Sequence, residues 1–132
     1  MKKLLLGIAA VCLAGFTFAQ DAPLWMRHSV ISPDGTTIAF TYKGDIYTLQ
    51  VAGGRAMQIT TNPAYDTAPV WSPDSKRIAF ASDRMGSLDV YIVAKDGGEP
   101  RRLTTHSGSE TPLAFTDAGH VLFSAGIMPS AE

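Results

Sequence analysis

The feature that most constrains the fold of this chain is an internal sequence repeat. Residues 32–40 read SPDGTTIAF, and residues 72–80, forty positions later, read SPDSKRIAF. Later matches are 44 positions apart, because four residues are inserted within residues 83–87. A third copy begins near residue 113 and reaches residue 123. Two complete copies and one partial copy therefore account for most of the chain.

Each copy predicts four short antiparallel strands. The Ser-Pro-Asp-Gly tetrad suits a type I turn. The Ile-Ala-Phe run after it is apolar at every position, which is typical of a strand covered on both faces. Asp-Ile-Tyr in the first copy and Asp-Val-Tyr in the second open a third strand. The pairs Gly53-Gly54 and Gly97-Gly98 permit a tight turn into a fourth.

Four strands in about 40–45 residues is the period of a β-propeller blade. Helical repeats of this length need a 3.6-residue apolar periodicity, which the sequence lacks. A two-sheet sandwich is the alternative fold, but it gives no reason for the sequence itself to recur. We therefore expect an all-β fold: a partial β-propeller with two four-stranded antiparallel blades and the start of a third.

The expected boundaries follow the repeat. Blade 1 is expected at about 27–61, blade 2 at about 68–105 and a partial blade 3 at about 111–125. Within blade 2 the strands are expected at about Ala68–Ser72, Arg77–Ser82, Asp89–Ala94 and Pro100–Thr104. Propellers close with about four to eight blades, so we expect a fragment of a longer protein. Expressed alone, the segment should be insoluble or oligomeric.

Residues 1–19 are expected to be a signal peptide. Lys2 and Lys3 precede the apolar run 4–16, and Thr17-Phe18-Ala19 fits a cleavage site, so the mature chain would comprise residues 20–132. The protein would then be exported to the periplasm or the extracellular space; a retained membrane anchor is the alternative. Of 11 basic and 12 acidic residues, cleavage removes two basic ones and leaves a net charge of about −3. No basic patch indicates nucleic acid or a membrane surface as a partner.

The second copy carries a family resemblance. Residues 71–84, Asp89-Val90-Tyr91 and residues 97–104 resemble the propeller repeat shared by TolB and the amino-terminal propeller of tricorn-type proteases. The Gly-His and Trp-Asp signature of WD repeats does not close each copy. The first copy looks most like the tricorn type. The resemblance implies the non-catalytic propeller of a secreted tricorn-like serine peptidase, admitting or filtering peptides for a catalytic domain beyond Glu132.

Two other parent proteins remain open. A TolB-like periplasmic scaffold would bind envelope proteins, but TolB has an α/β domain ahead of its propeller, and only about ten residues separate the expected cleavage site from the first strand near Arg27. A dipeptidyl-peptidase-like hydrolase would place its catalytic domain after the propeller. The expected partners are thus peptides or envelope proteins, the rest of its own longer chain, and a second copy in a homo-oligomer.

No catalytic constellation occurs in the sequence. It lacks a Gly-x-Ser-x-Gly nucleophile turn and a phosphate-binding glycine loop. His28, His106 and His120 are scattered without ligand spacing, so we expect no metal and no cofactor. The recurring turn and strand-start aspartates are expected to bond to local backbone, and Asp83 with Arg84 to form a surface ion pair: the recurring residues are Asp34, Asp45, Asp74, Asp89 and Asp117.

Asp66 and Glu110 are the candidate binding residues. They lie 44 positions apart, each just before an expected inner strand. That position approaches the mouth of the central channel, where one carboxylate per blade would form an acidic ring for a cationic ligand or a peptide amino terminus. The alternative is that each caps a loop. Trp71 is expected in the core, and the role of Trp25 is left open.

Overall fold

The computed structural model describes residues 25–126, so the expected signal peptide and residues 127–132 lie outside the described part. Within residues 25–126 the chain forms ten β-strands and no α-helix, and accordingly no helix there is long and apolar enough to cross a membrane. The strands are β1 (Met26–Ile31), β2 (Thr37–Tyr42), β3 (Asp45–Gln50), β4 (Met57–Gln58), β5 (Asp66–Trp71), β6 (Arg77–Ser82), β7 (Asp89–Ala94), β8 (Arg101–Arg102), β9 (Glu110–Asp117) and β10 (His120–Ala125).

The strands form three antiparallel sheets in strict chain order. The first is β1-β2-β3-β4, the second is β5-β6-β7-β8, and the third is β9-β10. β6 and β7 begin and end at the expected residues, whereas β5 starts two residues early and β8 is only two residues long. This meander, repeated as whole sheets, confirms the all-β fold of two four-stranded blades and the start of a third.

The turn between the first two strands is the same in blades 1 and 2. Ser72 Oγ donates to Asp74 Oδ1 at 2.6 Å, and Asp74 Oδ1 accepts the Lys76 backbone N–H at 3.1 Å. Ser32, Asp34 and Thr36 make the same contacts in blade 1. These hydrogen bonds lower the pKa of both aspartates. The local backbone role expected for the turn aspartates is confirmed.

The first strand of each complete blade carries a β-bulge. The register of β1 against β2 shifts between Arg27 and Val30, and that of β5 against β6 shifts between Thr67 and Val70. One residue in each bulge is left-handed, with φ of 50° at His28 and 51° at Ala68. A bulge bends its strand and increases the local twist.

The core lies between blades 1 and 2. Alternate side chains of β2 and β3, together with Val30 and Ile59, form the face of blade 1 that is turned toward blade 2. We call the face of a blade that is turned toward the next blade its downstream face, and the opposite face its upstream face. The upstream face of blade 2 packs against the downstream face of blade 1, and Trp71 Nε1 donates across the seam to the Val30 carbonyl at 3.1 Å. The expected core position of Trp71 is confirmed. The cluster contains Val30, Ala39, Ile46 and Ile59 from blade 1 with Trp71, Ile78, Phe80, Tyr91 and Val93 from blade 2.

The same backbone contact joins each blade to the next. The Asp66 N–H, at the start of β5, donates to the Gly44 carbonyl in the β2–β3 turn at 2.7 Å. The Glu110 N–H, at the start of β9, donates to the Leu88 carbonyl at 2.7 Å. The two candidate carboxylates are therefore held at equivalent points by the fold itself.

Candidate functional site

The structure places Asp66 and Glu110 as the first residues of β5 and β9, inside the inner strands and not before them as expected. Strand pairing aligns them with Met26 of blade 1, because Met26 pairs with Tyr42, Asp66 with Ser82 and Glu110 with Ala125. Blade 1 therefore has no carboxylate at this position. Both carboxylates are buried, at 0% and 3% exposure.

Asp66 is balanced by Arg84 from the inserted β6–β7 turn. Arg84 Nη2 lies 3.2 Å from Asp66 Oδ1 and 3.1 Å from Oδ2, and Arg84 Nε donates to Ser82 Oγ at 2.9 Å. The expected surface pair of Asp83 with Arg84 is wrong. Asp83 instead accepts the Tyr65 backbone N–H at 2.8 Å, because the insertion turns Arg84 back over its own blade.

Aromatic rings complete the environment of Arg84. Its guanidinium carbon lies 4.5 Å from the ring centroid of Tyr91 and 5.7 Å from that of Phe80. A planar cation on aromatic faces is stabilised by the ring quadrupoles. Arg84 is thus fixed by a carboxylate, a hydroxyl and two rings, and it occupies the cation position beside Asp66.

Glu110 differs from Asp66 in its surroundings. Its Oε2 is buried and has no hydrogen-bond partner among the described residues. In blade 2 the partner of the equivalent carboxylate comes from the turn after the second strand. The corresponding turn of blade 3 follows β10 and lies outside the described residues. Among residues 25–126, Asp66 therefore has a cationic partner, whereas Glu110 Oε2 has none.

The strand-start aspartates contact side chains of the fourth strand, Asp45 by a hydrogen bond and Asp89 by an ion pair. Asp45 Oδ2 accepts from Gln58 Nε2 at 3.1 Å, and Arg102 Nη2 lies 2.8 Å from Asp89 Oδ2. The expectation that they bond to local backbone is wrong for these two, because the ladder already pairs that backbone. Burial, and to a smaller degree the Asp66 carboxylate, raises the pKa of Asp45.

The histidines take separate places. His28 Nδ1 lies 3.1 Å from Thr67 Oγ1 across the first seam, His106 Nδ1 accepts the Gly108 N–H, and His120 Nδ1 lies 2.9 Å from both Asp117 carboxylate oxygens. Asp117 also accepts the Gly119 N–H at 2.7 Å. No group of three or more potential metal-ligating side chains occurs in residues 25–126.

Sequence reasoning missed the role of Arg84. The signal was present, since Arg84 lies in the one segment where the second copy departs in length from the first. It also missed Thr41, a buried threonine at the position of Ala81 in blade 2.

Two relatives of known sequence are similar to this chain. The chain is 30% identical to the uncharacterized peptidase YuxL of Bacillus subtilis over 96% of this chain and 20% of the relative. It is 34% identical to tricorn protease homolog 1 of Streptomyces coelicolor over 76% of this chain and 9% of the relative. The chain therefore spans a fifth or less of the length of these relatives.

Solved propellers share the fold. A putative TolB from Agrobacterium tumefaciens superposes with a TM-score of 0.61 and 25% identity over 68% of this chain and 38% of that one. The tricorn protease superposes with a TM-score of 0.64 and 22% identity over 75% of this chain and 10% of that one. The sequence-family model of the tricorn protease N-terminal β-propeller domain matches residues 23–130 of this chain. Together with the stacked four-stranded blades, this match shows that the chain belongs to the family of tricorn protease N-terminal β-propeller domains.

Proposed function

We propose that this chain is the non-catalytic propeller at the amino terminus of an exported tricorn-like serine peptidase, and that it admits or filters peptides for a catalytic domain farther along the protein. The observation that carries the proposal is the family match over residues 23–130. The first relative is named an uncharacterized peptidase, and this chain covers only 20% of its length. That name supports a peptidase as the parent protein.

The residues at the start of the inner strands supply the chemistry for filtering. Glu110 carries a buried carboxylate oxygen without a partner among the described residues, and it aligns with Asp66 on the next inner strand. A buried carboxylate favours a cationic partner, and the ammonium of a peptide amino terminus is one. Asp66 is already neutralised by Arg84, so it supports the site by fixing the strand start and not by binding.

The first test asks whether the intact protein is a serine peptidase. We expect it to hydrolyse fluorogenic peptides and to be labelled by a fluorophosphonate that reacts with activated serine. A protein that neither cleaves peptides nor takes the label contradicts the proposal. That outcome favours a TolB-like scaffold binding envelope proteins, the second candidate, which the likeness of the fold to TolB supports.

The second test addresses the carboxylates. In the intact protein, Glu110→Gln should raise the KM for peptides with a free amino terminus and leave blocked peptides unaffected. Glu99→Gln, a change at an exposed carboxylate, is the matched control. If Glu110→Gln and Asp66→Asn leave the handling of both peptide classes untouched, the channel role is lost.

The sequence pattern of residues 1–19 supports the proposed export. We expect the protein in the periplasmic or culture fraction, with a mature amino terminus at Gln20. Amino-terminal sequencing of the fractionated protein checks this, and recovery of an uncleaved chain from the cytoplasm contradicts it.

A further inference from the structure

A cavity of about 330 Å³ opens where blade 1 meets the loop before blade 2. Its lining comes from the start of β1, the end of β2, the β2–β3 turn and the residue before β5. The volume is within the range of about 300–1,000 Å³ typical of small-molecule sites. The lining residues are Trp25, Arg27, Thr41, Lys43, Gly44 and Tyr65.

The charged groups of the lining are both cations. Arg27 and Lys43 are exposed, and neither takes part in an ion pair with another residue of the described chain. Three carboxylates lie near the lining in sequence. Asp66 pairs with Arg84, and Asp83 accepts the Tyr65 backbone N–H. Asp45 Oδ2 accepts from Gln58, while Asp45 Oδ1 is buried without a partner among the described residues and does not line the cavity. The cavity therefore presents positive charge without a balancing acid in its lining.

Thr41 adds a second, independent sign of a ligand. Its side chain is buried, at 2% exposure, and its Oγ1 has no hydrogen-bond partner among residues 25–126. Buried polar groups are almost always hydrogen-bonded, so an exception calls for an explanation. Blade 2 has Ala81 at this position, fully buried, which shows that the blade packs without the hydroxyl.

Aromatic side chains line the cavity beside the charges. Trp25 is 60% exposed and Tyr65 is 44% exposed. Gly44, at φ 87°, adopts a left-handed backbone that favours glycine, and it lies beside the Tyr65 ring. Exposed aromatic faces next to cations and an unpaired hydroxyl combine an apolar surface with donors for one anionic group.

The repeat does not generate this combination. Five of the six lining positions can be matched at the seam between blades 2 and 3, and they hold no cation, no second aromatic ring and no buried hydroxyl that lacks a partner. Those positions are Tyr65, Thr67, Ala81, Leu88 and Ser109. The Lys43 position falls in the longer β6–β7 turn, whose cation, Arg84, is paired with Asp66. The cavity is thus specific to the first seam.

We propose that this cavity binds a small organic anion with an aromatic body, of the aryl carboxylate class. The carboxylate accepts hydrogen bonds from Arg27, Lys43 and the Thr41 hydroxyl. The ring of the ligand packs on Trp25 and Tyr65. This inference does not depend on the proposed peptidase function, because it concerns a different set of residues.

The test is titration of the intact protein with phenylacetate, with binding measured by tryptophan fluorescence and by calorimetry. Phenethylamine has the same ring with a cation, and inorganic phosphate is an anion without a ring. We expect saturable binding of phenylacetate alone. Thr41→Val and Lys43→Met should each weaken it by about 10- to 100-fold, the effect of losing a hydrogen bond to a charged group. Lys76→Met, at an exposed lysine outside the cavity, should leave it unchanged.

Four outcomes overturn the proposal. Three are no phenylacetate binding, equal binding of phosphate, and unchanged binding in Thr41→Val; the fourth concerns Thr41→Ser. Thermal melting of each variant, measured beside the titration, shows whether the variant is folded. Thr41→Ser keeps the hydroxyl, so it should bind phenylacetate about as well as the unchanged protein does. If Thr41→Ser binds as weakly as Thr41→Val, the hydroxyl is not a ligand contact and the proposal fails.

Discussion

Blades 1 and 2 have the same strand order and the same turn between their first two strands but opposite surroundings on their upstream faces. In blade 2 that face packs on blade 1, and Trp71 is only 6% exposed. In blade 1 the equivalent position, Ile31, is 56% exposed. The rest of the upstream face of blade 1 borders an apolar groove of about 250 Å³, lined by Met26, Phe40, Tyr42, Tyr47, Leu49, Gly54 and Ala56.

Blade 2 thus completes its core against blade 1. The aromatic pair inside each blade is alike, with Phe40 and Tyr47 centroids 5.8 Å apart and Phe80 and Tyr91 centroids 6.0 Å apart. The two pairs differ in what packs against them. In blade 1 the pair faces an open groove, whereas in blade 2 it belongs to the cluster shared with blade 1. An exposed apolar face of this kind marks an interaction surface.

The largest expected effect comes from isolating the segment. Residues 20–132 expressed alone keep the upstream face of blade 1 uncovered, so the segment should form oligomers or precipitate. Size-exclusion chromatography with light scattering checks this. A monodisperse monomer that melts cooperatively would contradict the view that these blades need neighbours.

The next effect concerns a contact that blade 2 has and blade 1 lacks. Arg84→Met leaves Asp66 buried without its cation, and removing one partner of a buried pair costs about 3–5 kcal/mol. Blade 1 has Met26 at the position equivalent to Asp66. The double variant Asp66→Met with Arg84→Met therefore tests whether blade 2 folds with an apolar residue at this position, as blade 1 does. We expect the double variant to recover most of the lost stability in denaturant unfolding of the intact protein. A double variant no more stable than Arg84→Met contradicts the assignment.

The sequence was sufficient for the two central strands of blade 2, less accurate for its outer strands, and insufficient for the contacts. β6 and β7 could be placed to the residue because Ile78-Ala79-Phe80 is apolar throughout and Asp89 opens a β-branched run. The partner of Arg84 could not be read, since it depends on how the inserted turn folds back across the blade. The burial of Asp66 and Glu110 was missed for a related reason: neighbouring blades cover them, and a repeat read one copy at a time does not show its neighbours.

The smallest expected effect is the pH dependence of the shared turns. Hydrogen bonds from serine and backbone hold the pKa of Asp34 and Asp74 below the ordinary value of 3.8. For a lowered carboxyl pKa the stabilisation is present above the unfolded value and is lost as the pH falls through the folded value. Asp34→Asn with Asp74→Asn should therefore flatten the stability profile below about pH 4, near the unfolded aspartate pKa. Urea unfolding at several pH values measures it; an unchanged slope would contradict the turn assignment.

Truncation of Ile31 in the intact protein tests whether another blade covers the upstream face of blade 1. If another blade covers the upstream face of blade 1 as blade 1 covers that of blade 2, Ile31→Ala should cost about 2–5 kcal/mol, as for a buried aliphatic side chain. Hydrogen exchange of β1 to β3 amides measures this locally, with Val51→Ala at an exposed turn residue as the control. A loss within about 0.5 kcal/mol, as for a surface position, would contradict the central claim that this face belongs to the interior of a closed propeller.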